Sequence, residues 1–447
     1  MAIHNVVTPI FDFKKESITL YEGESKIIRK KIEYNGYAKI KFNFLPKANI
    51  KIEAEYDEPQ LSSIINDDEI NFSINNFKPS VFVVSSKVQL EPVKTKLKLV
   101  SRQSDIQIIS SEKEEEEAKY IIFHIFNFFK VTLKDDSEVV AFSDGTLCRL
   151  NYFYLESKLY KIKIQSTRNT NINIQNIDKD GISRLTQVGR IEKKSGSISI
   201  EEYNELQNTL RYFLSFSKGS WINPCCSIGE NEQEKQIFGI LNAPKDEWKS
   251  LDSWIDPLQN SLSMSEFFPL FMNKWESERW KDTLEEVIYW FLNANDGSRG
   301  TDAGLILAQT ALERLSFEYV VHEKKLLLVK GFKDLWASDK FRILFSSLNI
   351  PLDIPFELVY LTKEAKSHNW LDAPHALTEI RNSLVHPEHK KHGKFNCHIF
   401  HEAHTLSLWY LEVAILAICG FKGKYSNRIK RGIVENVPYI KKVEIQE

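Results

Sequence analysis

Hydrophobic and polar residues alternate along the first part of the chain, to about residue 190. The stretches "KIIRKKIEYNGYAKIKFNFLP" and "LYKIKIQSTRNTNINIQNI" place Ile, Phe, Tyr or Leu between Lys, Asn and Gln. A period of two is typical of antiparallel strands with one buried face. Turn signals at Asn35-Gly36, Asp144-Gly145 and Asp180-Gly181 separate such runs. The pattern predicts an antiparallel, β-sandwich-like N-terminal domain over residues 1–190.

From residue 262 the pattern changes to a helical period. "SEFFPLFMNKWESERWKDTLEEVIYWFLNAN" is long and amphipathic, and Pro269 predicts a boundary near its start. Four shorter segments follow, which are "SDKFRILFSSL", "PFELVYLTKEAKS", "DAPHALTEIRNSLVH" and "FNCHIFHEAHTLSLWYLEVAILAIC". Before them, "DAGLILAQTALERLSFEYVV" carries apolar residues at helical spacing, namely Leu305, Leu312, Leu315 and Tyr319. The sequence predicts an all-α bundle over residues 262–447.

Residues 191–261 mix both patterns. Ser199, followed by Ile200 and two glutamates, is typical of a helix N-terminus, and Gly219 predicts the end of that helix. Short apolar pieces between turn residues follow in "SWINPCCSIGENEQEKQIFGILNAP". We interpret this part as a linking region, so the predicted fold class is α+β.

Composition and charge limit the partners and the cellular location that the sequence predicts. The chain has 447 residues and a formal net charge of −2, so any nucleic-acid site needs a local basic patch. Five cysteines without a CxxC pair argue against a disulfide framework and a zinc ribbon. Residues 406–418 are apolar but too short to span a bilayer, and Glu412 interrupts them. We expect a cytoplasmic protein with no membrane partner.

The helix predicted in "DAPHALTEIRNSLVHP" carries the candidate chemistry. Asp372 suits the N-cap position, and Pro374 is tolerated in the first turn. Pro387 cannot continue the helix, so His386 would lie at its end. The apolar positions of the helix predict a buried stripe of Leu377, Ile380 and Leu384.

Polar residues of the same helix share the opposite face. His375, Glu379, Asn382 and His386 are spaced by four, three and four, and Arg381 lies on the flank. An imidazole titrates near neutral pH and can move protons, whereas a guanidinium stays charged and can bind phosphate oxygens. The helix end is therefore a candidate site for phosphate chemistry.

The string Arg381-Asn382-Ser383-Leu384-Val385-His386 resembles the R-N-x-x-x-H signature of HEPN domains, the higher eukaryotes and prokaryotes nucleotide-binding family. These domains are helical, and many are metal-independent endoribonucleases of toxins and anti-phage systems. The order of "GLILAQTALERLSFEYV", "DKFRILFSSLNIP" and "WLDAPHALTEIRNSLVHP" is similar to the ApeA-like branch, over residues 266–420. The resemblance implies a HEPN helical bundle.

The resemblance also implies an antiparallel homodimer with one composite site. Each protomer would supply Arg381, Asn382 and His386 as catalytic residues. The 2′-hydroxyl of RNA would attack its adjacent phosphate and leave a 2′,3′-cyclic phosphate and a 5′-hydroxyl, with no metal and no cofactor. The biological role implied is a toxin or an abortive-infection effector. The N-terminal domain would then bind a phage-derived or cellular trigger.

Further residues are assigned to this site by position. Glu313, Glu379 and His375 are predicted to support the catalytic residues. Lysines directly after the motif lie where an RNA backbone would leave the site, and Arg428, Lys430 and Arg431 could extend this basic patch. The lysines predicted to bind RNA are Lys390, Lys391 and Lys394.

Other interpretations remain open. A catalytically silent HEPN module for dimerisation or RNA binding would carry the same residues, and an unrelated helical adaptor could carry the motif by chance. His398, His401 and His404 have a spacing compatible with zinc, but no carboxylate or thiolate completes a motif, so no metal site is predicted. Motifs of P-loop NTPases, Rossmann enzymes and zincins do not occur. Three tryptophans at helical spacing, Trp275, Trp280 and Trp290, are interpreted as core.

Overall fold

The fold is known from a computed structural model. It has a β-rich N-terminal region and a helical C-terminal part, as the sequence predicts. Two compact units are present, one of Met1–Leu214 with Trp221–Lys249 and one of Ser215–Ser220 with Ser250–Glu447. The structure describes residues 6–11, 17–29, 32–43, 49–56, 69–74, 80–82, 85–90, 95–100, 108–111, 117–131, 137–141, 145–181, 183–242, 251–385 and 395–440.

The first unit begins with a seven-stranded antiparallel sheet in the order β5-β4-β1-β2-β3-β7-β6. On β2 and β3, small and aliphatic residues such as Ala38 and Ile52 are buried, while Lys41 and Glu53 form a 2.9 Å ion pair. The predicted alternation of buried and exposed residues is therefore confirmed on these two strands. The strands are β1 (Ser17–Arg29), β2 (Ile32–Asn43), β3 (Asn49–Tyr56), β4 (Glu69–Ile74), β5 (Ser80–Phe82), β6 (Ser85–Leu90) and β7 (Thr95–Val100).

The turn predicted at Asn35-Gly36 is wrong. Both residues lie inside β2, where Gly36 is opposite Ser25 on one side and Tyr56 on the other. A Cβ atom on Gly36 would lie 2.5 Å from Cδ1 of Tyr56 and 2.2 Å from the Glu55 carbonyl oxygen. Close approach of β3 therefore explains this glycine, and a turn does not.

An eight-stranded antiparallel sheet follows in the same unit, in the order β11-β12-β13-β14-β10-β16-β17-β8. Two short strands, β9 and β15, pair separately. The strands are β8 (Ile108–Ser111), β9 (Glu117–Ala118), β10 (Tyr120–Phe126), β11 (Ser137–Ala141), β12 (Leu147–Glu156), β13 (Tyr160–Ser166), β14 (Leu185–Lys193), β15 (Ile198–Ser199), β16 (Cys225–Glu230) and β17 (Gln236–Leu241). The predicted linking region 191–261 thus supplies β16 and β17 of this sheet.

One predicted strand is a helix, α1 (Thr170–Asp180). Of the residues that it contains, only Thr170 and Ile177 are buried, and Ile172 is 58% exposed. The alternating isoleucines therefore do not form one buried face, which a strand would require. Gly181 has φ = 67° and donates its N–H to the Ile177 carbonyl at 2.9 Å, so Asp180-Gly181 ends a helix instead of joining two strands.

The helix predicted after Ser199 is confirmed as α2 (Ile200–Lys218). The Ser199 hydroxyl accepts the N–H of Glu202 at 3.1 Å, which satisfies a free donor of the first turn. Gly219, with φ = 77°, follows its last residue.

The second unit is mainly helical and also contains a two-stranded hairpin. No helix in its described part, or elsewhere in the described chain, is long and apolar enough to cross a membrane. Its elements are α3 (Ser263–Trp275), α4 (Glu278–Asn295), α5 (Thr301–Phe317), α6 (Val329–Lys333), α7 (Ala337–Ser347), α8 (Val359–Ser367), α9 (Ala373–Val385), α10 (Cys397–Ile418), β18 (Lys424–Ser426) and β19 (Val434–Asn436), with a 3₁₀ turn at Gly297–Arg299 and a π-helix at Glu318–Glu323.

Pro269 does not mark a boundary, because it lies in the middle of α3. The predicted long helix instead breaks at Ser277, whose backbone is extended with ψ = 115°. The interpretation as core is confirmed for Trp275 and Trp280, which are buried, whereas Trp290 is only half-buried. The apolar stripe of α5 and the following π-helix is fully or almost fully buried at Leu305, Leu312, Leu315 and Tyr319.

Candidate functional site

The helix that carries the candidate residues, α9, begins as the sequence predicts. Oδ1 of Asp372 accepts the N–H of His375 at 2.9 Å, so Asp372 is the N-cap. Pro374 lies in the first turn. The Ala373 N–H donates to the Leu352 carbonyl at 2.9 Å, which connects the start of α9 to the preceding loop.

Arg342 on α7 holds this N-terminus and was not identified from the sequence. Its Nε and Nη2 atoms donate to the two carboxylate oxygens of Asp372 at 2.7 and 3.0 Å. It also contacts Asp339. The hydrogen bond with Asp372 raises the pKa of the Arg342 guanidinium. A bidentate pair of this kind fixes the position of α9 relative to α7. No local sequence motif around Arg342 predicts its pairing with Asp372.

The buried face of α9 differs in part from the predicted stripe. Leu377 and Ile380 are fully buried, whereas Leu384 is half-buried and Ser383 takes a buried position. Gln309 on α5 donates from Nε2 to the Leu377 carbonyl at 2.7 Å. α9 therefore packs against α5, α7 and α10 through this face.

Four predicted site residues lie partly exposed on the opposite face of α9 and its flank, namely His375, Glu379, Arg381 and Asn382. Arg381 donates from Nη1 to Oδ1 of Asn382 at 3.4 Å. Its Nε atom is buried and has no hydrogen-bond partner in the described part of the chain. His375 accepts the Leu371 N–H on Nδ1 at 3.1 Å, so its ring is turned toward the start of the helix.

The last residue of the motif and the predicted RNA-binding lysines follow Val385 in the sequence. His386, Lys390, Lys391 and Lys394 fall outside the described residues, which stop at Val385 and resume at Phe395. Glu313, predicted to support Arg381, lies beside Lys340, with 3.9 Å between its Oε2 and the lysine Nζ. No hydrogen bond or ion pair between Glu313 and Arg381 occurs among the described residues.

The predicted extension of the basic patch is wrong for Arg428. Its guanidinium is buried, and its Nη2 atom lies 2.6 Å from Glu412 Oε1 and 2.8 Å from the Asp252 carbonyl. Lys430 pairs with Glu435 at 3.2 Å. Burial raises the pKa of the Glu412 carboxyl, and Arg428 opposes that shift. Arg428 is thus part of the core, where a buried carboxylate requires a partner.

The histidines of α10 do not converge. His398 stacks on Tyr360 with ring centroids 4.6 Å apart, His401 is exposed, and His404 donates from Nε2 to the Ala294 carbonyl at 2.9 Å. Burial lowers the pKa of His404 to about 4. No group of three or more metal-ligating side chains occurs in the part of the chain that the structure describes.

A cavity of about 370 Å³ lies on the eight-stranded sheet of the first unit, and no sequence motif announced it. Its cations lie over tyrosine rings: Lys161 Nζ is 4.6 Å from the Tyr154 centroid, and Arg190 Cζ is 3.8 Å from the Tyr120 centroid. The lining residues are Val7, Tyr120, Tyr154, Lys161, Lys163, Arg190, Glu192, Glu232 and Glu234.

Comparisons with known proteins match both units. Residues 113–250 match the family model described as the YopA central domain, and residues 277–439 match the YopA C-terminal domain, which includes all of α9. A region of 256 residues is 30% identical to the "SPbeta prophage-derived uncharacterized protein YopA" of Bacillus subtilis (strain 168). That region covers 57% of this chain and 56% of the relative, so little more than half of each protein is matched. No solved structure matches the chain. These descriptions name no activity, and the HEPN resemblance remains a prediction.

Proposed function

We propose that the helical unit is a metal-independent endoribonuclease of the HEPN type, related to the ApeA-like branch. One observation carries the proposal. Arg381 lies at the last turns of α9 on a partly exposed face, with Asn382 as its hydrogen-bond partner and no carboxylate paired with it among the described residues. A guanidinium without a carboxylate partner is available to a phosphate group.

The chemistry follows from the residue types. One imidazole accepts the proton of the 2′-hydroxyl while O2′ attacks the adjacent phosphorus atom. The bond to the 5′-oxygen breaks, and a second imidazole returns a proton to that oxygen. Arg381 stabilises the negative charge that develops on the non-bridging oxygens. The products are a 2′,3′-cyclic phosphate and a 5′-hydroxyl, and the RNA requirement follows from the 2′-hydroxyl.

A second copy of the chain would provide the second imidazole. His386 of each protomer is assigned the proton transfers, and Asn382 orients the neighbouring groups. Lys390, Lys391 and Lys394 are assigned to the RNA backbone on the basis of their charge and position. The bidentate contact between Arg342 and Asp372 supports this arrangement, because it gives α9 a fixed position from which to present its polar face.

The β-rich unit is assigned a sensing role in the cytoplasm, upstream of RNA cleavage. Its cavity, with cations held over tyrosine rings, could receive a small trigger molecule. The description of the relative as prophage-derived agrees with a role in conflict between phage and host. We therefore propose a toxin or abortive-infection effector that acts as a homodimer.

The test is cleavage of total bacterial RNA by the full-length protein in EDTA. We expect wild-type protein to cleave and to leave cyclic phosphate ends. His386→Ala and Arg381→Ala should each lower the rate by about 10²–10⁴-fold, the usual range for a lost acid–base or oxyanion group. Arg381→Lys should recover a part of the activity, because it restores charge without the bidentate geometry. His401→Ala, an exposed histidine on α10, is the matched control.

Two results would contradict the proposal. Equal cleavage by wild type, His386→Ala and Arg381→Ala would assign the activity elsewhere or to a contaminant. A wild-type protein that dimerises and binds RNA but cleaves no RNA, even when expression is toxic, would indicate the catalytically silent module instead.

A further inference from the structure

An apolar surface lies between the π-helix and α7, in the segment "KKLLLVKGFKDLW" of residues 324–336. Four large apolar side chains of this segment face solvent, with exposed fractions of 84% for Leu328, 76% for Trp336, 53% for Leu326 and 40% for Val329. Single exposed leucines are common on protein surfaces, but four such residues within eleven positions mark an interaction surface.

The fold holds this segment in place. Phe332 is buried, and its ring centroid lies 5.4 Å from that of Phe317. The Leu326 N–H donates to the Val320 carbonyl at 2.8 Å, and the Trp336 carbonyl accepts the N–H of Asp339 at 3.0 Å. The segment is thus anchored at its beginning, middle and end, and the apolar side chains remain exposed in the folded protein.

The same segment is basic. Four of its lysines are exposed, and Asp334 is its single carboxylate. Carboxylates that flank the segment are paired with other residues, since Glu323 contacts Lys274 at 2.5 Å and Asp339 contacts Arg342. The surface therefore keeps a positive charge around its apolar side chains. The lysines are Lys324, Lys325, Lys330 and Lys333.

We propose that residues 324–336 dock on the surface of an anionic lipid bilayer, lying on it without crossing it. Anionic headgroups complement the lysines, and the acyl region just below them receives Leu328 and Val329. Tryptophan is favoured at the level of the headgroups, where Trp336 would lie. This surface shares no residue with the polar face of α9, and the inference does not depend on the proposed ribonuclease. It replaces the sequence-based expectation that the protein has no membrane partner.

Other partners fit less well. A twofold contact between two copies of this surface would bring the four lysines of each copy together, and like charges oppose such a contact. A nucleic acid offers negative charge and stacking for Trp336, but it has no apolar surface for Leu326, Leu328 and Val329. Of these three partners, the lipid surface is the one that matches both the charge and the apolar side chains.

The test is co-sedimentation of the full-length protein with vesicles. We expect binding to vesicles that contain phosphatidylglycerol and none to vesicles of phosphatidylcholine alone. Leu328→Ser combined with Trp336→Ser should weaken binding at least about tenfold, from the apolar area no longer inserted. Lys330→Glu combined with Lys333→Glu should weaken it by about 25-fold or more, at about fivefold per lost lysine near the surface. The matched controls are Leu258→Ser, which replaces a leucine that is 74% exposed, and Lys422→Glu.

Three outcomes would overturn the inference. Wild-type protein that does not bind anionic vesicles would exclude the lipid surface. Binding that falls with the lysine variant but not with the leucine–tryptophan variant would indicate simple charge adsorption. A change from dimer to monomer in Leu328→Ser/Trp336→Ser without vesicles would assign the surface to contact between copies. A midpoint temperature of thermal unfolding equal to that of the wild type would show that each variant retains the fold.

Discussion

His404 on α10 shows how one residue can couple stability to pH. Its imidazole is largely buried, and Nε2 donates to the Ala294 carbonyl at 2.9 Å. Burial is the largest cause of its lowered pKa of about 4, and the positive charge of Arg428 adds to it. A Cβ atom on Gly304 would lie 2.5 Å from His404 Nε2, so this glycine allows α5 to approach the ring.

The free energy of unfolding should therefore fall in acid. The pKa of His404 is about 4 in the folded chain and 6.5 without the fold, so folding favours the neutral ring. Its contribution is complete above pH 6.5 and is lost as the pH falls toward 4, by about 3 kcal/mol at 1.36 kcal/mol per unit. His404→Gln should reduce this pH dependence. The measurement is urea unfolding at several pH values, monitored by hydrogen exchange of the α10 amides. His401→Gln, at an exposed position, should change the pH dependence only slightly, because His401 is the smallest of the causes that lower the pKa of His404. An identical pH dependence in His404→Gln would show that the ring does not titrate with unfolding.

At the scale of elements, the start of α9 depends on one carboxylate with two tasks. Asp372 caps the helix through the His375 N–H and binds Arg342 with both oxygens. Asp372→Ala removes both interactions and should lower the free energy of unfolding by about 2 kcal/mol or more. Asp372→Asn retains the cap but loses the ion pair, so its loss should be smaller. Urea unfolding measures both values. Equal losses for the two variants would mean that the cap contributes nothing.

The elements that the sequence predicts well are those whose signal is local. The N-cap at Asp372, the start of α2 at Ser199 and the buried stripe of α5 each depend on neighbours along the chain, and each is confirmed. The failures depend on contacts that are distant in sequence. Asn35-Gly36 has the composition of a turn, but Tyr56 of the adjacent strand requires the glycine within β2.

The same reason explains the limits of site prediction. Arg381 and Asn382 are consecutive in the motif, and the helical spacing places Asn382 on the polar face of α9 and Arg381 on its flank. Arg342 was not identified and the interpretation of Arg428 is wrong, because their partners Asp372 and Glu412 are 30 and 16 residues away. In the sequence, a basic residue near a motif looks the same whether it binds a ligand or pairs with a buried carboxylate. Only the structure shows the buried partner.

At the scale of the whole molecule, the two units divide within α2. Leu214 ends one part of the first unit, and Ser215–Ser220 belongs to the second. Phe216 accordingly packs in the aromatic core of the helical unit, with ring centroids 5.8 Å from Trp254 and 5.5 Å from Phe291. Phe213, one helical turn earlier, is fully buried in the first unit. One helix therefore supplies a phenylalanine to each core.

This division predicts that the two phenylalanines affect different units. Phe216→Ala should destabilise the helical unit by about 3–5 kcal/mol, the usual cost of removing a buried ring, and should raise amide exchange in α3 and α4. Phe213→Ala is the matched control on the same helix and should raise exchange in the strands of the first unit instead. Hydrogen exchange of both full-length variants, resolved to individual peptides, measures which unit each substitution destabilises. If each variant raised exchange equally in both sets of peptides, α2 would join the units into one cooperative structure, and the boundary after Leu214 would have no energetic meaning.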